Sequence, residues 1–292
     1  MFTGTTKFAE IICKFIDFGP STFCENWKWK LDPYKIDASI NNKYQLMINQ
    51  CLNKNLIIDK LLYEVQDGFF MRQVFSIIGG GTLWRYIRKK NNDIILGYYV
   101  NKDWNEITLI EDYSKSSGNM AFEYLGNIFP AFGINHEILS FHGALIEYQG
   151  NGIVISAPSG TGKTTHARLW RDYKKALIIN GDKVICKKIH NIWHGFGLPW
   201  SGTSGEQINR KVPLKAFVIL QRGKKNKAMK ILDNCSLGLV LPNLQCPTWD
   251  NKMVSKVLCL LDDFLSNIPV IKLECCPDKE SVDVLLNQIE RL

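Results

Sequence analysis

Several features are missing from this 292-residue chain, and each absence removes a class of protein. Its nine cysteines include no C-x-x-C pair and are odd in number, so neither a disulfide framework nor a zinc site is indicated. The thiols are expected to be reduced and mostly buried, with the adjacent Cys275 and Cys276 on opposite faces of a strand. No stretch approaches the roughly 18 uninterrupted apolar residues of a membrane span. The opening run "MFTGTTKFAEIICKFIDFG" is broken by Lys7, Glu10, Lys14 and Asp17, which argues against a secretory segment and for a cytoplasmic protein with no membrane partner. No repeat and no low-complexity linker is visible. Acidic residues are the minority, 28 against 36 Lys and Arg, for a net charge of +8. That balance favours anionic partners such as nucleotides, nucleic acid or an acidic peptide, or serves solubility alone. No recognition motif accompanies it, so nucleic acid ranks last.

A hydrophobic content of 46% with 22% charged residues describes a soluble globular chain, long enough for one large domain or two ordinary ones. We expect two, residues 1–135 and 136–292. The first is expected to be a smaller α+β domain, open to a role in substrate recognition. Two short helices are expected around Phe8–Phe18 and Lys43–Leu52. An antiparallel meander then follows through "TLWRYI", "DIILGYYV" and "EITLIEDY", rich in β-branched and aromatic residues. Gly79 to Gly81 form a bend without the spacing of a phosphate motif. A helix in "NMAFEYLGNIFPAFG" should break near Pro130.

The second domain opens with "EILSFHGALIEYQGNGIVISAPSG", which reads as a hairpin of Ile138–Tyr148 and Gly152–Ser156. Its second strand runs directly into a glycine-rich loop, and "KTTHARLWRDY" continues as a helix. "ALIIN" reads as a buried strand. "VICKKI" with "IWHGFG", and "KAFVILQ" with "AMKIL", read as two further hairpins. Met253–Ile268 and Asp278–Leu292 are amphipathic helices around a strand "VIKLE". Strands alternating with helices, plus hairpins, imply an α/β domain with a mixed sheet flanked by helices.

The run "ISAPSGTGKTT" nearly fits G-x-x-x-x-G-K-[ST], with Ala157 in the first position. Binding a polyphosphate requires several backbone N–H groups aimed into one small volume, which glycines permit. Ser159, Gly160, Thr161 and Gly162 meet that need, and the following helix adds its positive end. Lys163 would reach the outer phosphates, and Thr164 would ligate Mg²⁺. Ala157 lies farthest from the lysine, where a methyl group is tolerated. Phosphoryl transfer also needs a carboxylate, to hold the metal or accept the proton of the attacking hydroxyl. Asp182, after the strand "ALIIN" and 19 residues beyond Lys163, is the candidate; a turn aspartate is the plainer alternative. His142 sits among mostly apolar neighbours, as a core histidine would.

Together these residues make "FHGALIEYQGNGIVISAPSGTGKTT…LIINGDKV" resemble the catalytic domain of HPr kinase/phosphorylase, a bacterial protein-serine kinase related in fold to phosphoenolpyruvate carboxykinases. His142-Gly143 match the family's His-Gly before the loop, Ser159 to Thr164 match its S-G-x-G-K-S core, and Asp182 matches the second of its paired aspartates. The resemblance implies a P-loop mixed sheet, ATP and Mg²⁺ as cofactors, Thr164 and Asp182 at the metal, and Asp182 as base assisted by His142. The chain departs from the family at two positions. Gly181 replaces the first aspartate, and Thr165, counted with the nucleotide-binding residues, replaces an acidic residue. The signature of the reverse reaction is not found, which favours a forward kinase. The likeness covers about residues 137–292 and weakens after Val184. The arrangement is also similar to HPr kinase-like proteins associated with modified-peptide biosynthesis.

Downstream, "GLPWSGTSGEQINRKVPLKAF" offers Ser201, Thr203 and Ser204 in a loop, with Arg210 as a candidate to stabilise the transferring phosphoryl group. A polar surface loop over Trp200 is the competing reading. The cluster Arg222, Lys224, Lys225 and Lys227 reads as a solvated hairpin tip. His166 and Arg168 on the loop helix could contact phosphate or base, or be structural.

The leading expectation is an ATP-dependent kinase acting on a serine or threonine hydroxyl of a protein or peptide. The alternatives are a small-molecule kinase or carboxykinase-like enzyme, and a nucleotide-gated binding module that Gly181 keeps open. The sequence leaves a homo-oligomer open.

Overall fold

The computed structural model describes residues 2–18, 25–37, 45–113 and 119–292. The chain divides into two compact units. One comprises Met1–Phe132 with Thr248–Asn251, the other Gly133–Pro247 with Lys252–Leu292.

The first unit contains β1 (Phe2–Phe8), β2 (Ile11–Phe18), α1 (Glu25–Leu31) and β3 (Gln45–Gln50). These are followed by β4 (Ile58–Asp67), β5 (Phe70–Ile77), β6 (Thr82–Arg88), β7 (Asp93–Val100) and β8 (Glu106–Asp112), and then α2 (Asn119–Ile134). The strands form one mixed sheet in the order β1-β2-β3-β8-β7-β6-β5-β4, so the expected meander is present and extended.

Three expectations are corrected here. Phe8–Phe18 is not a helix but the turn and second strand of a hairpin, with Phe8 opposite Ile11. Ala9 and Glu10 both take positive φ, 46° and 68°, the geometry of a two-residue hairpin turn, here without the usual Gly or Asn. Apolar residues at 8, 11, 12 and 15 fit a helical period equally well, an ambiguity inherent in short runs. Lys43–Leu52 is likewise not helical where it is described: residues 43 and 44 lie outside the described residues, and β3 runs parallel between β2 and β8. Leu46 and Ile48 are buried and Met47 exposed, a period of two. Finally, α2 passes through Pro130 unbroken. Its Ala121, Phe122, Leu125, Ile128, Phe129 and Phe132 are fully buried, and that packing outweighs the roughly 3 kcal/mol an internal proline costs. The core of this unit is aromatic: Trp27 stacks on Phe122 at 5.0 Å, and Phe18 lies edge-on to Trp27.

The second unit contains β9 (Ile138–Tyr148), β10 (Asn151–Ser156), α3 (Lys163–Lys174), β11 (Leu177–Asn180), β12 (Lys183–Ile189) and β13 (Ile192–Phe196). It continues with β14 (Lys211–Arg222), β15 (Lys227–Lys230), α4 (Asp233–Val240), α5 (Asn251–Asn267), β16 (Val270–Cys275) and α6 (Lys279–Ile289). The mixed α/β class expected for this region is what it shows. Its strands run β10-β9-β12-β13-β14-β16-β15, with β11 on β9, and β10 also pairs parallel with β14, closing a circuit of pairings. On one face α3 and α6 bury Ala167, Trp170, Val282 and Leu285 against Ile155, Val218 and Leu273. Elsewhere Phe264 of α5 packs on Phe141 and Phe217.

The hairpins β9–β10 and β12–β13 form as expected, but β14 and β15 do not pair with each other. β16 inserts between them, parallel to β14 and antiparallel to β15. That long-range pairing aligns the carboxyl ends of β10, β14 and β16. The expectation of mostly buried thiols is also corrected: of eight described cysteines, all free, only Cys13, Cys186 and Cys275 are buried. Among the described residues no helix is long and apolar enough to cross a membrane.

Candidate functional site

The site begins where β10 ends. Ser156 pairs with Gly143 across the hairpin, and its hydroxyl donates to the His142 carbonyl at 2.7 Å. The loop leaves through Ala157, whose methyl is fully buried in the core beside Ala167. A burying strand–helix junction therefore accounts for alanine at this position. Gly160 and Gly162 take positive φ, 75° and 118°, which a residue with a β-carbon rarely adopts. Gly162 is the N-cap of α3, and its carbonyl accepts the first helical bond from the His166 N–H at 2.9 Å.

Lys163 is buried, and its Nζ donates to the carbonyls of Ala157 (2.9 Å) and Pro158 (3.2 Å), inside the loop. Burial lowers its pKa, and the Asp182 carboxylate opposes that shift. The Thr164 hydroxyl donates to the Gly181 carbonyl at 3.4 Å, joining the start of α3 to the β11–β12 turn. Ser159 and Thr165 are exposed.

Opposite the loop stand His142 and Asp182. β9 and β12 pair His142 with Lys183, and the Gly143 N–H donates to the Asp182 carbonyl at 3.0 Å. His142 Nδ1 then lies 3.4 Å from Asp182 Oδ1. Burial and the neighbouring Lys163 lower the His142 pKa, against the raising effect of Asp182. A lowered pKa leaves the imidazole neutral near pH 7, able to exchange a proton with the carboxylate.

Asn180 organises this turn, and the sequence reading missed it. It is fully buried, and its amide donates to the carbonyls of Leu198 (3.0 Å) and Trp200 (3.1 Å). Its carbonyl accepts from the N–H groups of Asp182 and Lys183, each at 2.9 Å. Those four bonds use the full capacity of a carboxamide. The signal was a lone polar residue closing the apolar strand "LIIN".

The segment 201–206 is seated on the same turn. A β-carbon at residue 181 would stand 2.3 Å from Ser204 Oγ, so glycine there makes room for Ser204. A β-carbon at Gly202 would stand 2.6 Å from the Asp182 carboxyl carbon. The Gly181 N–H donates to the Glu206 carbonyl at 3.1 Å, and the Glu206 carboxylate accepts from Arg168 (3.3 Å) and Arg171 (3.2 Å).

Two placements differ from expectation, and a third falls on the structural side of a reading left open. Arg210 is not brought to this cluster: it is exposed and forms a bidentate pair with Glu147, its Nη2 2.6 Å from Oε1. Glu147 lies five residues beyond His142 on β9, roughly 17 Å away in an extended strand. The arginine that does reach the loop is Arg222, from the end of β14. Its Nη2 donates to the Gly160 carbonyl at 2.6 Å and its Nε to the Thr161 carbonyl at 3.3 Å. It is not a free member of a solvated tip. His166 faces inward, 2% exposed with neither ring nitrogen hydrogen-bonded, and burial pushes its pKa down to about 4.

Among the described residues no group of three or more His, Cys, Asp and Glu could hold a metal. Thr164, whose hydroxyl reaches the Gly181 carbonyl, and Asp182, the residue after Gly181, bring one hydroxyl and one carboxylate to this turn. Such a set fits Mg²⁺, which keeps most of its waters and takes few protein ligands.

Fold and site thus define a mixed α/β unit in which a glycine-rich strand–loop–helix turn faces a His–Asp pair. Residues 127–241 match the family model described as "SynChlorMet cassette protein ScmC", which is under half of the chain. In structure, the chain is similar to the Hpr(Ser) kinase/phosphatase from Coxiella burnetii at 12% identity and a TM-score of 0.32. That likeness covers 52% of this chain and 88% of the other. No curated protein matches the chain.

Proposed function

We propose that this protein is an ATP-dependent kinase that transfers the γ-phosphate to a serine or threonine hydroxyl of a protein or peptide. The observation that carries the reading is the 3.4 Å approach of His142 to Asp182 across from the loop that holds Lys163 and Thr164. Phosphoryl transfer is catalysed mainly by positioning and charge stabilisation, and these residues divide that work. The glycine-rich turn supplies backbone N–H groups to the polyphosphate. Lys163, now bonded to loop carbonyls, moves its ammonium to the outer phosphates. Thr164 and Asp182 would hold Mg²⁺, whose charge would offset that of the phosphates. Asp182 orients the acceptor hydroxyl and takes its proton, and the neutral His142 beside it relays that proton. The acceptor class rests on the resemblance of about residues 137–292 to HPr kinase/phosphorylase, which weakens after Val184.

The test incubates the protein with ATP, Mg²⁺ and candidate serine-bearing peptides and looks for a gain of one phosphate by mass spectrometry. Transfer that survives Asp182→Asn refutes Asp182 as the base. Tight ATP binding without transfer to any acceptor would favour the nucleotide-gated module, the reading that Gly181, lacking a carboxylate, supports.

A further inference from the structure

The carboxyl ends of the parallel neighbours β10, β14 and β16 lie side by side, the edge of an α/β sheet where ligands gather. A cavity of about 370 Å³ opens there. One wall is the loop from Pro158 to Thr161, and the other is the last four residues of β14, Ile219 to Arg222. Its lining is mostly apolar, and its size falls within the usual range of small-ligand pockets, upward of roughly 300 Å³. It shares its loop wall with the candidate phosphate site but contains neither Asp182 nor His142.

Two side chains give this cavity a chemical preference. Gln221 is half-buried, lines the cavity, and its amide has no partner among the described residues. Arg222 lies along the lip, its Nε and Nη2 engaged by the Thr161 and Gly160 carbonyls. A guanidinium held in that way offers its flat face for stacking.

We infer that this cavity receives the adenine ring of the nucleotide whose phosphates the adjoining loop holds, and that Gln221 selects adenine over guanine. The inference rests on the proposed nucleotide site. A carboxamide complements the N6 amino group and N7 of adenine, accepting from one and donating to the other. Guanine presents two acceptors, O6 and N7, so the amide oxygen would face O6 with no proton between them. An arginine would suit those two acceptors, but the Nε and Nη2 of Arg222 are already bound to the loop.

The experiment measures binding of ATP, GTP and inorganic tripolyphosphate to the whole chain and to Gln221→Leu by calorimetry. Tripolyphosphate reports the loop alone. The expected result is that ATP binds roughly ten- to a hundredfold tighter than GTP. Gln221→Leu should erase that preference while tripolyphosphate affinity stays within about twofold, which also shows that the variant is folded. If tripolyphosphate binds but ATP is no tighter than GTP, or Gln221→Leu keeps the preference, the base site is refuted and the phosphate loop stands. If the wild-type chain binds no tripolyphosphate, the phosphate site fails and this inference fails with it.

Discussion

The two units bury different chemistry. Among described residues, the buried polar side chains of the first unit are Thr5, Thr6 and Thr108. The second buries Lys163, His166, Asn180, Lys183, Lys187 and several serines. All five histidines of the chain also lie in the second unit. Burying amides and charges costs free energy unless they are bonded, so a fold that keeps them does so for a structural or chemical reason. In the first unit a core of Trp27, Phe18, Tyr98 and Phe122 needs no such reason. In the second, three of the buried polar groups, Asn180, Lys183 and Lys163, belong to the turn and the loop that form the candidate site. The contrast separates a unit built for packing from a unit built around a site.

The contrast breaks most visibly if Asp182 is dispensable. Asp182→Asn should lower phosphoryl transfer by about 10²- to 10⁴-fold, the usual worth of a positioned general base. Single-turnover transfer to a peptide, with ATP affinity measured in parallel, checks this, and the affinity should change far less than the rate. Truncation in the other unit should act on stability alone. Trp27→Ala removes a fully buried ring stacked at 5.0 Å on Phe122 and should cost about 3–5 kcal/mol of stability in denaturant unfolding. Nucleotide affinity of the folded variant should be unchanged; a parallel loss of affinity would contradict the division of labour.

Acid should act on the second unit selectively. His166, held down to about 4 by burial, binds its proton more readily when the chain is unfolded and its imidazole returns to the ordinary value of 6.5. The stability it supports is therefore fully present above pH 6.5 and lost as pH falls toward 4, up to about 3 kcal/mol in all. His136, lowered to about 4 by burial and by Lys187 and Lys256, acts in the same direction. His166→Leu should flatten the fall of the unfolding midpoint between pH 6.5 and 4 without abolishing it. An unchanged slope would show that His166 is not a buried neutral histidine.

How much of this could be read from the sequence follows from how local each feature is. The strand, glycine loop and helix from Ile155 to Trp170 are contiguous, and their periodicity and spacing announce them. Asp182 stood out because it follows a short apolar strand after the loop, whereas His142, among apolar neighbours, reads as a core histidine and was singled out only by the family resemblance. The hairpin at Phe8–Phe18 was not, because Ala9 and Glu10 carry a turn that normally advertises itself with glycine or asparagine. Arg222 was passed over in favour of Arg210 because the choice depends on β14 lying parallel to β10, with Ser156 opposite Ile219. No local pattern encodes that pairing. The filling of the Gly181 site by Ser204 was equally invisible, because it joins two turns that only the fold brings together.

The smallest expected effect concerns that junction, and it decides what holds the segment 201–206 on the turn that carries Asp182. Two kinds of contact are available. One is steric and backbone-based: Ser204 fills the space that Gly181 leaves, and the Gly181 N–H bonds to the Glu206 carbonyl. The other is ionic, from the Glu206 carboxylate to Arg168 and Arg171, whose side chains are 46% and 48% exposed. Ion pairs that wet are worth about 0.2–1 kcal/mol each and weaken with salt. Glu206→Gln should therefore lower stability by about 1 kcal/mol or less, with the difference from wild type shrinking at high salt. Gly181→Ala drives a methyl into Ser204 and should do more harm, to transfer as well as to stability, because it lifts the segment away from Asp182. Chemical unfolding at low and high salt, beside transfer rates for both variants, ranks the two contacts. If Glu206→Gln proves the more damaging, the segment is held by charge rather than by the fit of Ser204 against a bare glycine.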